Sequence, residues 1–443
     1  MNFIFARARF ALLFLIPCAV SLAQVPVPLG PAFPINSTID QSQAEPDVAT
    51  DFDGALIAVW TSADQDGSGT GVYGQLFDEL GNSLGPEIRI NSTVEGDQRE
   101  PAVSMTDDEL FAVVWAGSDD DGAGIFLRVF GEKGATTKED IQVNSTTEGM
   151  QSEPDVALAE DSAIMVVWQS SDGDGQGIRG RLFDTDGQPL TEELMISMTT
   201  MGDQLGPVVD DVDEDGTFIV VWEGPDSDGQ GIYARAIDDT GKLLGSEILV
   251  NTTELGEQIE PALAVRTNDS DLIDNGFAIT WLGPDGDGDG TFVRFFNEDG
   301  MPVLGEIRVN PLALGIQDDA SVSIDDDGNF IVSWTEPDPN AVLDGDGSAE
   351  LLGSPILIRG RRFGGGGSFG PELGVGIGEA FTIASGLLDR PVLALEANGD
   401  FACVWQNADD GSGSGVFGRR YGIGLFVDGF ETGDTSGWSG TVP

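Results

Sequence analysis

The sequence predicts an all-β fold: a seven-bladed β-propeller of four-stranded blades, its ring closed by an N-terminal strand. Three observations predict it. First, Trp60, Trp115, Trp168, Trp222, Trp281, Trp334 and Trp405 recur at one place in a repeated pattern, with spacings of 55, 53, 54, 59, 53 and 71 residues. A period of this size marks one supersecondary unit copied along the chain. Second, each copy holds short Val/Ile/Phe-rich runs bounded by Gly and Asp, the pattern of strands and hairpins, four to a copy. Such units suit propeller blades. Third, the ends are ragged in a matched way. Leu29 to Asn36 resembles the fourth-strand segment Leu84 to Asn91, whereas the last copy stops after its third strand near Tyr421. Pairing the two ends removes the exposed sheet edges. An open β-solenoid or a string of small sandwiches does not explain those ends.

Within one copy the order is N-S/T-T-x4-Q-x-x-P-x-V, D-x-x-G, F-x-V-V-W, S-x-D-x-D-G-x-G, I-x-x-R-x-F-D, a Gly turn and E-I-x-V. The Gly-His and Trp-Asp signatures of WD40 repeats are missing. The tryptophans end strands that are apolar on both faces, so they read as core between blades rather than as sugar-stacking platforms. Arg128, Arg181, Arg235, Arg294, Arg361 and Arg419 recur on the third strand, with Gln75 in the first copy. Glu87, Asp140, Glu193, Glu247 and Glu306 recur on the fourth. Adjacent strands would let these pair across the ladder.

Residues 1–23 read as a signal peptide. Arg7 and Arg9 precede the apolar run Phe10 to Val20, and Ser21-Leu22-Ala23 offers a cleavage site. The run is too short to span a bilayer comfortably. Cys18 follows Pro17 and forms no convincing lipobox. The expected domains are therefore 1–23, a propeller over 24–422 and a tail over 423–443, with the product secreted or displayed at the cell surface. Removing the signal leaves Cys403 alone, so no intramolecular disulfide is expected.

The chain has 77 acidic residues, 20 basic ones, no histidine and a formal charge of −57. That balance excludes nucleic acid as a partner, since binding it requires Lys and Arg at phosphates. It also speaks against anionic membrane surfaces and favours bound cations, cationic partners or solubility in a salty medium. No Ser-His-Asp set, Cys-His set, His-based metal site, phosphate loop or dinucleotide motif is present.

The Asp/Gly loops carry the strongest chemistry. The candidate metal ligands are Asp64, Asp66, Asp119, Asp121, Asp172, Asp174, Asp226, Asp228, Asp285, Asp287, Asp289, Asp344 and Asp346. Alternating carboxylates with a Gly turn suit a hard cation such as Ca²⁺. The bland alternative is that Asp/Gly pairs make tight turns, and that Asn36, Asn91, Asn144, Asn251 and Asn310, each with a Gln seven residues on, tie off loop backbone. The loops resemble the calcium loops of integrin-α-type (FG-GAP) propellers, which implies Ca²⁺ binding and a cell-surface role. The acid expected after the Gly is absent in most copies, so further ligands would come from elsewhere. The loops are also similar to sialidase Asp-boxes, without the Trp expected after the Gly.

The segment Asp428 to Pro443 resembles a tail of the form D-G-F-E-S-G-D-T-S-x-W-S found on exported bacterial proteins, which implies surface sorting or anchoring. The sixth copy is irregular, with an insert from Pro337 to Pro355 and the run Gly364-Gly365-Gly366-Gly367. A long insertion on one face is often a binding loop. The functional expectation is an exported, non-catalytic, Ca²⁺-binding propeller for adhesion or recognition of protein or glycan. The alternative is an exported glycan-active hydrolase or lyase using carboxylates in the central channel.

Overall fold

The computed structural model describes residues 26–422, apart from 52, 120–121, 137–138, 160–162, 200, 213–215, 267–275, 287, 312–314, 326–327, 339–355, 365–375 and 409–412. The segment expected to be a signal peptide, the C-terminal segment and most of the sixth-copy insert lie outside the described residues. Among the described residues no helix is long and apolar enough to cross a membrane.

Each copy begins with an inner strand: Gln43–Thr50 in the first, Gln98–Met105 in the second and Gly149–Leu158 in the third. The next strand carries the Trp and is buried along nearly its whole length, as in Leu56–Ala63 and Ile164–Ser171. Burial on both faces explains why this strand reads as a continuous apolar run rather than an alternating one. A third strand returns antiparallel and a fourth lies at the rim, two residues long in the first copy. Apolar clusters form between successive copies. Ile57, Val59 and Leu76 of the first copy meet Phe111, Val113 and Trp115 of the second. A further cluster joins Val404 and Val416 of the last copy to Trp60 of the first, so the arrangement is a ring.

The predicted closure is present. Val27–Pro28 pairs antiparallel with Gly422 and Tyr421, and Phe33–Pro34 with Gly418 and Phe417. Ile35 N–H donates to the Val416 carbonyl at 2.8 Å, and Val416 N–H donates to Asn36 Oδ1 at 2.8 Å.

The expectation of seven separate four-stranded blades is corrected. The strands form six hydrogen-bonded sheets. Five of these are discrete blades, four of them four-stranded and one five-stranded through the N-terminal segments; the sixth is continuous and eight-stranded. The cause is local. Gly149 and Met150 of the third copy pair in parallel with Gly122 and Ala123 of the second. Gly122 has φ +148°, and a Cβ there would stand 3.2 Å from the Gly149 carbonyl oxygen. Two facing glycines let the backbones approach closely enough to merge two copies into one sheet.

The repeated polar residues also act differently from their expected ladder pairing. Arg128, Arg181 and Arg235 donate through Nη1 to the carbonyls of Ile90, Val143 and Ile196, at the end of the preceding copy's last strand. The Arg181 guanidinium also stacks over Phe183, two residues on, at 5.5 Å. The acids instead reach back to the link that opens their own copy. Thr38 N–H donates to Glu87 at 2.9 Å, and Thr146 N–H to Glu193 at 2.8 Å. The arginines therefore join neighbouring copies, and the acids tie each copy's last strand to the link that opens it. The arginine that meets Glu193 is Arg179, at 3.4 Å. Burial alone would raise the Glu193 carboxyl, but the N–H and O–H donors of Ser145 and Thr146 bring it below the ordinary carboxylate range. A lowered pKa stabilises the fold at neutral pH, and this contribution is lost as pH falls through the folded value. We expect Glu193→Gln to lower the unfolding temperature at pH 7 and to matter progressively less towards pH 3, measured by calorimetry.

Candidate functional site at the channel mouth

The inner strands surround a channel of about 850 Å³. Every inner strand has a register shift at one place, between Ala44 and Asp47 in the first copy and between Asp389 and Val392 in the last. Proline occupies this point in six copies, as Pro46, Pro101, Pro154, Pro207, Pro261 and Pro391, and cannot donate to the ladder, so a bulge accommodates it. The residue before it turns left-handed: Glu45, Glu100, Glu153 and Glu260 have φ between 49° and 54°. Gly206, Asp319 and Arg390 hold the same position with φ of 55°, 50° and 48°.

These residues form a ring of directed hydrogen bonds. Glu100 N–H donates to Glu45 Oε2 at 2.9 Å, Glu153 N–H to Glu100 Oε2 at 2.9 Å and Gly206 N–H to Glu153 Oε2 at 3.1 Å. Asp319 N–H donates to Glu260, and Arg390 N–H to Asp319 Oδ2 at 3.3 Å. Two copies lack the acid, and the residue after the Trp replaces it. Glu260 N–H donates to Glu223 Oε1 at 2.7 Å, and Glu45 N–H to Gln406 Oε1 at 3.2 Å. Sequence reasoning missed this ring. Its signal was the recurring Glu-Pro dipeptide inside the Q-x-x-P motif.

Deeper acceptors repeat the device. Asp47 accepts from Val103 N–H at 2.8 Å, Asp155 from Val209 N–H at 2.7 Å and Asp210 from Val265 N–H at 2.9 Å. Enclosure in the channel wall raises these carboxyls to about 6, 8 and 7. A raised carboxylate pKa means that the native state binds more protons than the unfolded chain, so stability falls as pH rises through this window. Asp155→Asn keeps an oxygen for Val209 N–H. We expect its unfolding temperature to match wild type near pH 4 and to exceed it by a growing margin up to about pH 8.

One sector departs from the symmetry. Oxygens of Glu260, Asp318 and Asp319 lie within 4.8 Å of one another, close enough to share a metal ion. Burial and then the neighbouring Asp318 raise Glu260; burial and then Asp389 raise Asp319. Arg390, 3.9 Å from Glu45, is the basic residue lining the channel.

The Asp loops lie on the same face as this mouth. Copy by copy, the residues packed against Gly71, Gly124, Gly177, Gly231 and Gly290 of the next strand are Asp66, Asp119, Asp172, Asp226 and Asp285, so the first copy's counterpart is Asp66 rather than Asp64. The loops are built as turns. Ser68, Asp174 and Asp228 donate N–H to the Oδ1 atoms of Asp66, Asp172 and Asp226 at 3.1, 3.0 and 2.8 Å. Asp285 instead meets Asn310 Nδ2 at 3.1 Å and Arg308 at 3.7 Å, and Asp119 meets Gln142 at 3.4 Å. Asp228 Oδ2 accepts from Gly256 N–H at 3.4 Å. Asp289 opens the next strand, with its carboxyl raised by burial and then by Asp318. Asp121, Asp287, Asp344 and Asp346 lie outside the described residues.

The amides expected to complete a cation shell are engaged. Asn251 Oδ1 accepts from Ile232 N–H at 2.8 Å while its Nδ2 donates to Gln258 Oε1 at 2.8 Å. Asn91 and Asn144 repeat this. Three carboxylate oxygens fit a cation better. Oδ2 of Asp66, Asp172 and Asp226 is buried without a hydrogen-bond partner, and an unmatched buried polar atom is costly.

No protein-family model matches the chain, and no curated protein matches it in sequence. Solved structures do resemble it. A protein of unknown function from Dyadobacter fermentans DSM 18053 aligns at 10% identity over 90% of this chain and 99% of that one, with a TM-score of 0.50. The ulvan lyase of polysaccharide lyase family PL25 aligns at 10% identity over 89% and 96%, with a TM-score of 0.51. The β-propeller domain of the Trilobed protease from Pyrococcus furiosus aligns at 10% identity over 88% and 97%, with a TM-score of 0.45. At such identity the likeness is one of fold. Together, the ring of sheets and its channel define a protein of the β-propeller class.

Proposed function

We propose that the chain, exported by its N-terminal segment, is a non-catalytic propeller that recognises a protein or glycan at the cell surface and binds Ca²⁺. The observation that carries the non-catalytic reading is the ring itself. Glu45, Glu100, Glu153, Glu260 and Asp319 each already accept a backbone N–H from the next copy, which is structural employment. Two features support the cation. Glu260, Asp318 and Asp319 supply convergent oxygens, and Asp66, Asp172 and Asp226 hold unmatched ones. Oxygen-rich sets of this kind suit Ca²⁺.

The test is thermal unfolding in EGTA, Mg²⁺ and Ca²⁺ with calorimetric titration. A ligand of the native state alone adds about 2.7 kcal/mol at one hundred times its Kd. We expect a saturable shift specific to Ca²⁺, reduced in Asp318→Asn and in Asp172→Asn/Asp226→Asn. Equal small shifts from both ions would overturn the cation reading.

A second reading has its own support. Glu260 and Asp319 are raised towards neutrality beside Asp318 and Asp389, an acid-and-base arrangement suited to glycan cleavage, and one fold neighbour is an ulvan lyase. Release of reducing or unsaturated ends from a glycan panel, lost in Glu260→Gln, would replace the recognition reading.

A further inference from the structure

The links between successive copies, together with the strand start at Met150, carry large apolar side chains in the open. Met150, Met198, Met201, Leu255 and Ile316 are between 55 and 73 % exposed. They occupy four consecutive links, from the second copy to the sixth. Exposed acids sit beside them: Glu148 two residues before Met150, Asp203 two after Met201, Glu254 and Glu257 on either side of Leu255, and Asp318 two after Ile316. Large apolar side chains left in water at the same structural position of four consecutive links make a candidate interaction surface, and methionine suits surfaces that adapt to a partner. Leu80, Leu190 and Met301 are also exposed, but on separate outer hairpins, Leu80 and Met301 within the turns and Leu190 just beyond its turn.

We propose that this arc is the docking surface for a partner protein segment in which basic and apolar residues alternate. The choice of occupant rests on charge complementarity. The arc interleaves apolar groups with carboxylates beside the acidic mouth, on a chain of formal charge −57. A partner's Lys or Arg would meet the acids while its apolar residues cover the methionines, Leu255 and Ile316. An acidic segment would be repelled. This names the partner class for the recognition function above and rests on that reading.

The test uses the full exported chain in saturating Ca²⁺ and three short synthetic peptides, of alternating Lys/Leu, Lys/Ser and Glu/Leu. Binding is followed by fluorescence anisotropy at two salt concentrations. We expect the Lys/Leu peptide to bind about tenfold or more tightly than Lys/Ser, a difference of about 1.4 kcal/mol, and the Glu/Leu peptide not to bind. The variant Met150→Ser/Met201→Ser/Leu255→Ser/Ile316→Ser should lose that advantage with its unfolding temperature unchanged. Glu148→Gln/Glu254→Gln should weaken Lys/Leu binding, and Leu80→Ser/Leu190→Ser/Met301→Ser should leave it intact. Equal affinity for Lys/Ser and Lys/Leu, retention by the first variant, or loss in the last would overturn the proposal. Those results leave the Ca²⁺ titration untouched, whereas turnover on a glycan would overturn the recognition reading without moving the peptide affinities.

Discussion

Deleting residues 26–36 is expected to abolish cooperative unfolding of the ring and to make the protein self-associate. The segment is short but heavily used. It supplies two antiparallel pairings to the last strand, the Leu29 and Ile35 N–H bonds, and Asn36 Oδ1 for Val416 N–H. Arg419 Nε donates to the Gly30 carbonyl at 2.9 Å. Ile35 is buried in the cluster that contains Trp60 and Val404, and Phe33 packs on Phe77 with ring centroids 5.9 Å apart. Losing one buried aliphatic side chain and several hydrogen bonds costs on the order of 5–8 kcal/mol, a large fraction of an ordinary domain's stability. The deletion also bares the edge of Gly415–Gly422, which then invites pairing with another chain. Calorimetry should show a broadened transition at lower temperature, and light scattering a mass above the monomer. A sharp transition at the wild-type temperature with a monomeric mass would show that the seam is held elsewhere.

Trp168→Ala is expected to cost about 3–5 kcal/mol. The side chain is fully buried in a cluster that draws Val114, Ala116 and Ile125 from one copy and Val156, Ile164 and Val166 from the next. Its indole nitrogen has no hydrogen-bond partner, so the loss is one of packing. That distinction makes a sharper test possible. Trp168→Phe should recover most of the stability, because it fills much of the void and leaves no acceptor unmatched. Denaturant unfolding of the three proteins measures both. If Phe proved as costly as Ala, an unseen polar partner for the indole would have to be sought.

The repeat, the closing strand and the buried tryptophans were legible because each depends on local pattern. A period of apolar runs, a segment matching Leu84 to Asn91 and a Trp ending each run are all visible in one dimension. The merging of two copies into one sheet was not. It depends on Gly122 meeting Gly149, an encounter between copies that no single repeat displays. The partners of Arg181 and Glu193 were misjudged for the same reason. Ladder neighbours can be counted along a hairpin, whereas Val143 belongs to the preceding copy and Thr146 to the link that opens the third. The Asp loops were found, but the left-handed Glu ring at the channel mouth was passed over. Within one copy its residues are an unspecified position before the proline of Q-x-x-P, and their acceptor role appears only when one copy is laid beside the next.

Every stitch at the channel runs one way round the ring: each copy donates its N–H to the copy behind it, the first to the last included. In assembly terms the contact is heterologous, a head meeting a tail, and within one chain the rotation happens to close. A pair of copies cut from this chain would carry a free acceptor at one end and a free donor at the other. Such a fragment has the valence of a ring-forming subunit when its angle divides the circle, and of a fibre when it does not. The single polypeptide removes that ambiguity by bringing Gln406 of its last copy to the backbone of Glu45 in its first.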